Sequence, residues 1–305
     1  LCNHKLLYLK RITHYHSINI RNMTSVREIV NDLIATYGKD DQRTLTWHTK
    51  RNELLTASEI YKGINGATPA MNRELVLSKL VARQNTSNAT PRALLWGTRF
   101  EPIAKDIYKR LNPEINEIVD TTCVNHPTVS FLGASPDGII ISDNDDRHGN
   151  LVEFKCPISR DFNDTSEIPN SYYHQMQLQL ECTRLETCEY IEMKFLDHTY
   201  TDWIDAKSDY KSVFAYHLDD SNRVVYRDID SKDTVSVWKR NVLGEDEENW
   251  KIVFWSLTKH RSQVVKHDTN WLATNLPSLT KIWDQVLEHR KNNTLPDAPV
   301  TSLLL

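Results

Sequence analysis

From about residue 115 the spacing of apolar residues changes from helical to alternating, and no other feature constrains the fold of this chain as much. Before that point Val26, Ile29, Val30, Leu33, Ile34 and Tyr37 recur at three- and four-residue intervals, after Ser25 with Glu28 and before Gly38. An apolar face opened by a capping box and stopped by glycine predicts a helix over about 25–37. Met71, Leu75, Leu80 and Val81 predict a second helix over about 70–83, followed by a polar loop, QNTSNATPR. Phe100, Ile103, Ala104, Ile107, Tyr108 and Leu111 form the stripe of a third, over 94–111. Trp96 begins it and reads as core rather than as a stacking platform for a base. The alternating runs IVDTTCV, VSFLGAS, GIIIS and LVEFKC then predict strands, with SPDG (135–138) and the acidic DNDDRHGN (143–150) as turns of a hairpin-linked meander. A helix over about 170–183 and a strand near 188–196 complete an α/β order.

The last hundred residues differ. KSVFAYHL and RVVYRDI predict a hairpin across Asp219–Asn222, WKIVFWSL predicts a strand, and a helical pattern runs from about 268 to 291. Pro277 is expected to kink or divide that helix, because proline lacks the N–H and clashes with the preceding turn. No stretch rich in Gly, Ser or Pro separates this part, so it is expected to pack on the same core. The expected division is an unassigned segment 1–23, a core 24–200 and a C-terminal extension 201–305. The chain begins with Leu1, and Met23 is an expected start of translation.

With 39% hydrophobic and 26% charged residues, the chain has the composition of a folded protein rather than a disordered one. A formal charge of −4 excludes a basic nucleic-acid coat protein but not a nuclease, which gathers carboxylates around metal ions. Five cysteines without a CxxC spacing read as reduced thiols of an intracellular protein. Neither a membrane span nor export is expected, since no apolar run approaches twenty residues.

Asp137 follows an apolar run, and Glu153 and Lys155 lie on a later one. Side chains alternate along a strand, so Glu153 and Lys155 share a face while Phe154 enters the opposite layer. Two carboxylates converging from adjacent strands make a hard oxygen site for Mg²⁺ or Mn²⁺, beside which Lys155 could orient or deprotonate a water. Taken singly, a Pro-Asp-Gly aspartate reads as a turn residue and Glu-x-Lys as a solvated face. What favours the site is their combination on a strand whose Val152 and Phe154 are apolar.

Together with four further segments, these residues resemble the PD-(D/E)XK nucleases, and within them the YqaJ-like viral recombinases of the lambda exonuclease type. The resemblance covers about residues 47–195. WHTKRNELLTASEI is similar to the family's W-x3-R-x4-TAS segment and implies a 5′-phosphate pocket of Arg51 and Ser58, to which a helix N-terminus near Ser58 would add. LLWGTRFEPIA implies a role for Glu101 near a second metal ion. GASPDG and EFKCP imply Asp137, Glu153, Lys155 and the backbone carbonyl of Phe154. SRDF implies a DNA contact at Arg160, and YYHQMQ implies an active-site Gln175.

The resemblance implies a restriction-endonuclease-like core, a central mixed sheet flanked by helices, with the hairpin and helix added at the C-terminus. It implies a Mg²⁺- or Mn²⁺-dependent 5′ to 3′ exodeoxyribonuclease with two ions, resecting double-stranded DNA ends for recombination or repair. A structure-specific endonuclease, an RNA-degrading alkaline nuclease and a non-catalytic DNA-end-binding protein are the alternatives. The resemblance also admits a single-strand annealing protein as partner, a homo-oligomer, and a viral source with the host nucleus or cytoplasm as workplace. If Lys155 acts as a base through a lowered pKa, activity should rise toward alkaline pH. Cys156 reads as a small buried residue, Cys182 and Cys188 lack the partners of an iron–sulfur site, and His16, His48, His126 and His174 lack zinc spacing. Lys105, Lys109 and Arg110 read either as a phosphate path or as solvated charge.

Overall fold

The computed structural model describes residues 25–38, 44–81, 91–220 and 222–297. The readings made for 1–23, for Met23 and for most of the polar loop after residue 83 lie outside these. The chain runs α1 (Val26–Tyr37), α2 (Leu45–Asn52), β1 (Leu55–Thr56), a 3₁₀ turn (Ile60–Lys62), α3 (Pro69–Leu80), α4 (Arg92–Leu111), β2 (Ile115–Val119), β3 (Val124–Asn125), β4 (Leu132–Ala134), β5 (Gly138–Ser142) and β6 (Leu151–Lys155). It continues through α5 (Asn170–Thr183), β7 (Thr187–His198), α6 (Tyr200–Asp205), β8 (Lys211–His217), β9 (Val224–Tyr226), α7 (Val235–Val242), β10 (Trp250–Lys266) and α8 (Trp271–Asn292).

A seven-stranded sheet has the order β2-β5-β6-β7-β10-β8-β9, and a small sheet the order β1-β4-β3. In the large sheet only β6 and β7 pair in parallel, joined through α5, while its other neighbours are antiparallel. The sequence explains the two faces. Leu151, Cys188 and Tyr190 belong to an apolar cluster with Leu55, Ile60, Leu75, Leu132, Met176, Leu178, Leu180 and Leu279. Val152, Phe154, Ile191, Met193 and Phe195 belong to a second cluster with the α4 stripe of Trp96, Phe100, Ile103 and Ile107. Alternation along β6 therefore sends Phe154 toward α4 and turns Glu153 and Lys155 toward α5. Phe100, wholly buried, anchors the α4 layer by stacking on Phe195 at 4.4 Å between ring centres.

The α1 helix carries the full capping box: the Ser25 N–H donates to Glu28 Oε2 at 2.8 Å, and the Glu28 N–H donates to Ser25 Oγ at 3.2 Å. Two expectations need correction. SPDG closes no hairpin: β4 belongs to the small sheet and β5 to the large one, so 135–137 carry the chain from one to the other. IVDTTCV likewise divides, its first residues in β2 and its last in β3. Of the two outcomes expected at Pro277, division does not occur: the proline lies inside one continuous α8, whose buried face of Leu276, Leu279, Ile282 and Val286 is held by the core and outweighs the lost backbone bond. The strand around WKIVFWSL is longer than its apolar run and reaches Lys266, and twelve of its residues pair with β7 inside the sheet.

Gly138, directly after Asp137, lies where two strands come close. A Cβ there would stand 2.4 Å from Ile118 Cγ2 and 3.3 Å from the Val119 carbonyl oxygen. Only glycine lets β5 approach β2 at this height, and the approach fixes where Asp137 leaves the strand.

Candidate active site

The site lies between β6 and α5. That helix is enclosed on nearly all sides, with Gln175, Met176, Gln177, Leu178, Gln179 and Leu180 all buried. Buried amides need partners. Gln177 donates to the Lys266 carbonyl at 2.9 Å and accepts the Asp268 N–H at 2.8 Å. The other two turn to Glu153, which is fully buried. Gln175 Nε2 donates to its Oε1 and Gln179 Nε2 to its Oε2, each at 2.6 Å. Lys155 Nζ forms an ion pair with the same Oε1 and lies 3.4 Å from Gln175 Oε1.

Asp137 is held across the β5–β6 pair, its Oδ2 accepting the Phe154 N–H at 2.8 Å. Dehydration pushes its carboxyl well above the usual carboxylate range, and the nearby charges of Glu153 and Glu101 push it further, against the pull of Lys155. Glu153 and Glu101 are thus both close enough to Asp137 to disfavour its charge. Burial alone would lower the pKa of Lys155, but Glu153 and then Asp137 reverse this and hold its ammonium above the ordinary lysine range.

The carboxyl oxygens of Asp137 and Glu153, with Lys155 as counter-charge, are hard donors that fit a divalent cation by their chemistry. Among the described residues no three His, Cys, Asp or Glu side chains stand together at ligand spacing. Glu153 Oε1 is shared by Lys155 and Gln175, while among the described residues Oε2 accepts only from Gln179 and keeps a lone pair for an ion.

A second constellation adjoins the first. On α2, Trp47 and Arg51 are four residues apart and stack, the guanidinium 4.3 Å from the ring centre. Arg51 donates to Ser58 Oγ at 2.8 Å, to Thr56 Oγ1 at 3.1 Å and to Ser135 Oγ at 3.4 Å. Trp47 Nε1 also donates to Ser135 Oγ, at 3.2 Å. Ser135 lies two residues before Asp137, so the pocket and the carboxylate share one short loop. Behind the pocket Glu59 accepts both the N–H and the hydroxyl of Thr56, at 3.0 and 2.8 Å, and forms an ion pair with the buried Lys79. Lys79 also donates to the Arg51 carbonyl at 3.2 Å. The helix N-terminus expected near Ser58 is only a three-residue 3₁₀ turn.

Arg160 pairs with Glu192 and donates to the Tyr190 hydroxyl at 3.3 Å. The Tyr172 ring lies between the cations, 4.7 Å from Lys155 Nζ and 5.9 Å from the Arg160 guanidinium. His174 turns instead toward α8, its Nδ1 accepting the Trp271 indole N–H at 2.8 Å. Burial drives the Cys156 thiol well above its usual range and leaves it a weak nucleophile. Arg110 is bound among Asp106, Asp228 and Asp230, and Lys105 to Asp120. Thr56, Ser135, Gln179, Glu59 and Lys79 were missed from sequence. For Gln179 a signal existed in the run of alternate glutamines after Gln175; for the others only the fold brings the partners together.

A mixed sheet with an Asp before one strand and Glu-x-Lys on the next, backed by helices on both faces, is the arrangement that the sequence resemblance implies. Residues 46–186 match the family model of the YqaJ-like viral recombinase domain. Over 344 aligned positions the chain is 23% identical to an uncharacterized protein of Acanthamoeba polyphaga mimivirus, covering 96% of this chain and 60% of that one. The chain thus spans about three-fifths of the length of that relative. Among solved structures, the alkaline exonuclease LHK-Exo from Laribacter hongkongensis is 19% identical with a TM-score of 0.49, over 82% of this chain and 97% of that one. The same enzyme in complex with dAMP is 20% identical with a TM-score of 0.47, over 82% and 98%. A phage-related exonuclease from Haemophilus somnus is 10% identical with a TM-score of 0.46, over 79% and 96%. Among the described residues no helix is long and apolar enough to cross a membrane.

Proposed function

We propose that the chain is a nuclease that hydrolyses DNA phosphodiester bonds, and specifically a metal-dependent 5′ to 3′ exodeoxyribonuclease that resects double-stranded ends. The observation that carries this reading is the junction of the two constellations. A pocket of Arg51, Thr56, Ser58 and Ser135, suited to a terminal phosphate, is joined through Ser135 to Asp137. In this reading residues 24–200 form the catalytic core, with 201–305 packed on it.

Arg51 binds the terminal phosphate through a fork of N–H groups that the hydroxyls already orient, and Trp47 restricts its swing. Asp137, Glu153 and the Phe154 carbonyl would hold one Mg²⁺ or Mn²⁺, with Glu101 near a second. Such ions supply an activated water and charge neutralisation at the phosphorus. Lys155, paired with Glu153, assists the nucleophile and can stabilise the developing oxyanion by its charge. Gln175 keeps Glu153 and Lys155 in register. Resection for recombination or repair, a single-strand annealing partner, a homo-oligomer and work inside a virus-infected cell follow from the family resemblance and belong to the same proposal.

The test is digestion of linear duplex DNA with a 5′-phosphate or a 5′-hydroxyl, beside a covalently closed circle, by wild type and Lys155→Ala with Mg²⁺ or EDTA. Loss of the phosphorylated linear DNA alone, abolished by EDTA and by the substitution, is expected. Nicking of the closed circle would move the activity to an endonuclease and remove the purpose of the pocket.

A further inference from the structure

Glu192 of β7 is fully buried and lies on the same sheet face as the active-site carboxylate. It stands beside Lys155 in the parallel register with β6 and beside Arg261 in the antiparallel register with β10. Lys155, Glu192 and Arg261 therefore form one row across three strands, and Glu153 and Tyr190 lie in the next row. Arg261 Nε donates to Glu192 Oε2 at 2.7 Å, and its Nη2 pairs with the same oxygen. Its Nη1 reaches the loop after β6, donating to the carbonyl oxygens of Asn163, at 3.2 Å, and Ser166. Arg160, in that loop, pairs with the other Glu192 oxygen. Lys194 holds the loop from below, donating to the carbonyls of Ile158 and Arg160 at 3.1 and 2.9 Å.

The charge balance of this group is uneven. One carboxylate faces two guanidiniums, which are always protonated, so the triad keeps a net positive charge. The Arg261 side chain is only 2% exposed, whereas that of Arg160 is 33% exposed. The surplus charge therefore reaches solvent at Arg160, next to Lys155 and Tyr172. Without Arg261, Glu192 and Arg160 would form a neutral pair, and a buried carboxylate would hold Arg160 inward. We propose that Arg261 is a positioning residue: by taking up the charge of Glu192 it leaves the charge of Arg160 for a phosphate of the nucleic acid strand at the active site. This rests on the nuclease reading and gives β10, beyond the YqaJ-like stretch, a part in substrate binding.

The experiment measures binding of a labelled, 5′-phosphorylated duplex in EDTA, which prevents cleavage, over a series of salt concentrations. Arg261→Met is expected to bind roughly tenfold more weakly, with the slope of log K against log salt shallower by about one unit, as for loss of one phosphate contact. Arg160→Ala should show the same loss. Glu192→Gln combined with Arg261→Met leaves no buried charge unpaired and frees Arg160, so this double variant should bind within about twofold of wild type. It also carries the test if the single variant does not fold. Wild-type affinity and slope in Arg261→Met, or a double variant tenfold weaker than wild type, would overturn the proposal. Absence of binding by the wild type would overturn the nuclease reading with it, whereas wild-type binding that ignores Arg261 overturns this inference alone.

Discussion

Replacing Gln179 by leucine isolates what a buried amide does for the active-site carboxylate. The substitution keeps nearly the same volume, so no large cavity opens, and it removes the donor 2.6 Å from Glu153 Oε2. Gln179 and Glu153 are both fully buried, so water cannot replace the lost bond. A hydrogen bond to a charged group is worth about 1.5–3 kcal/mol, and an unsatisfied buried oxygen costs a similar amount. Because Lys155 and Gln175 still hold Oε1, the loss should stay near 2–3 kcal/mol rather than reach the cost of a fully unpaired buried charge. In a domain of this size that is roughly 4–6 °C in Tm, taking about 2 °C per kcal/mol. Thermal unfolding in EDTA, where no ion can compensate, is the assay. Gln179→Glu, nearly isosteric, should lose more at neutral pH, since it sets one carboxylate against another. A Gln179→Leu variant within about 0.5 kcal/mol of wild type would show that the amide does not support Glu153.

Two further outcomes are expected. Arg51→Lys keeps the charge but cannot bridge Thr56, Ser58 and Ser135, so the preference of the nuclease for 5′-phosphate over 5′-hydroxyl ends should fall about tenfold, about 1.4 kcal/mol; an unchanged ratio of initial rates would remove Arg51 from the pocket. The Glu181–His267 pair, with Nε2 and Oε1 3.0 Å apart, gives a pH signature. Its hydrogen bond to Glu181 raises the pKa of His267 despite burial. Burial alone would raise Glu181, yet the approach of His126 at 3.8 Å and the hydrogen bond to His267 hold it down to about 2. The histidine contribution is complete below its ordinary pKa of about 6.5 and is lost as pH rises through the raised value, while that of Glu181 is complete above its ordinary 4.5 and is lost as pH falls toward 2. The stability gap between wild type and His267→Gln should therefore be widest between about pH 4.5 and 6.5 and shrink by pH 9; a gap that is flat over that range would contradict the pairing.

How much of this was legible in the sequence depended on the range of the interaction concerned. The α5 helix, the α4 stripe and the shared face of Glu153 and Lys155 follow from local period, and the structure shows them. Which sheet a strand joins does not follow from period: GAS and GIIIS look like two arms of a hairpin, but only the fold separates β4 from β5 and makes the turn between them a bridge from phosphate pocket to carboxylate. The α2 helix was invisible for a related reason. LTWHTKRN has no apolar stripe and buries no residue, so hydrophobic pattern is silent about it. Its reason for being helical is the four-residue spacing that stacks Arg51 on Trp47, backed by Thr44 as its cap. Glu192 and Arg261 are charges on strands that alone read as a solvated edge. They become a buried pair only because β10 returns between β7 and β8, and that return also makes the last hundred residues part of the wall on which the active-site row stands. Charged residues in the interior of a sheet are thus the signal that pattern reading discards and that pairing register recovers.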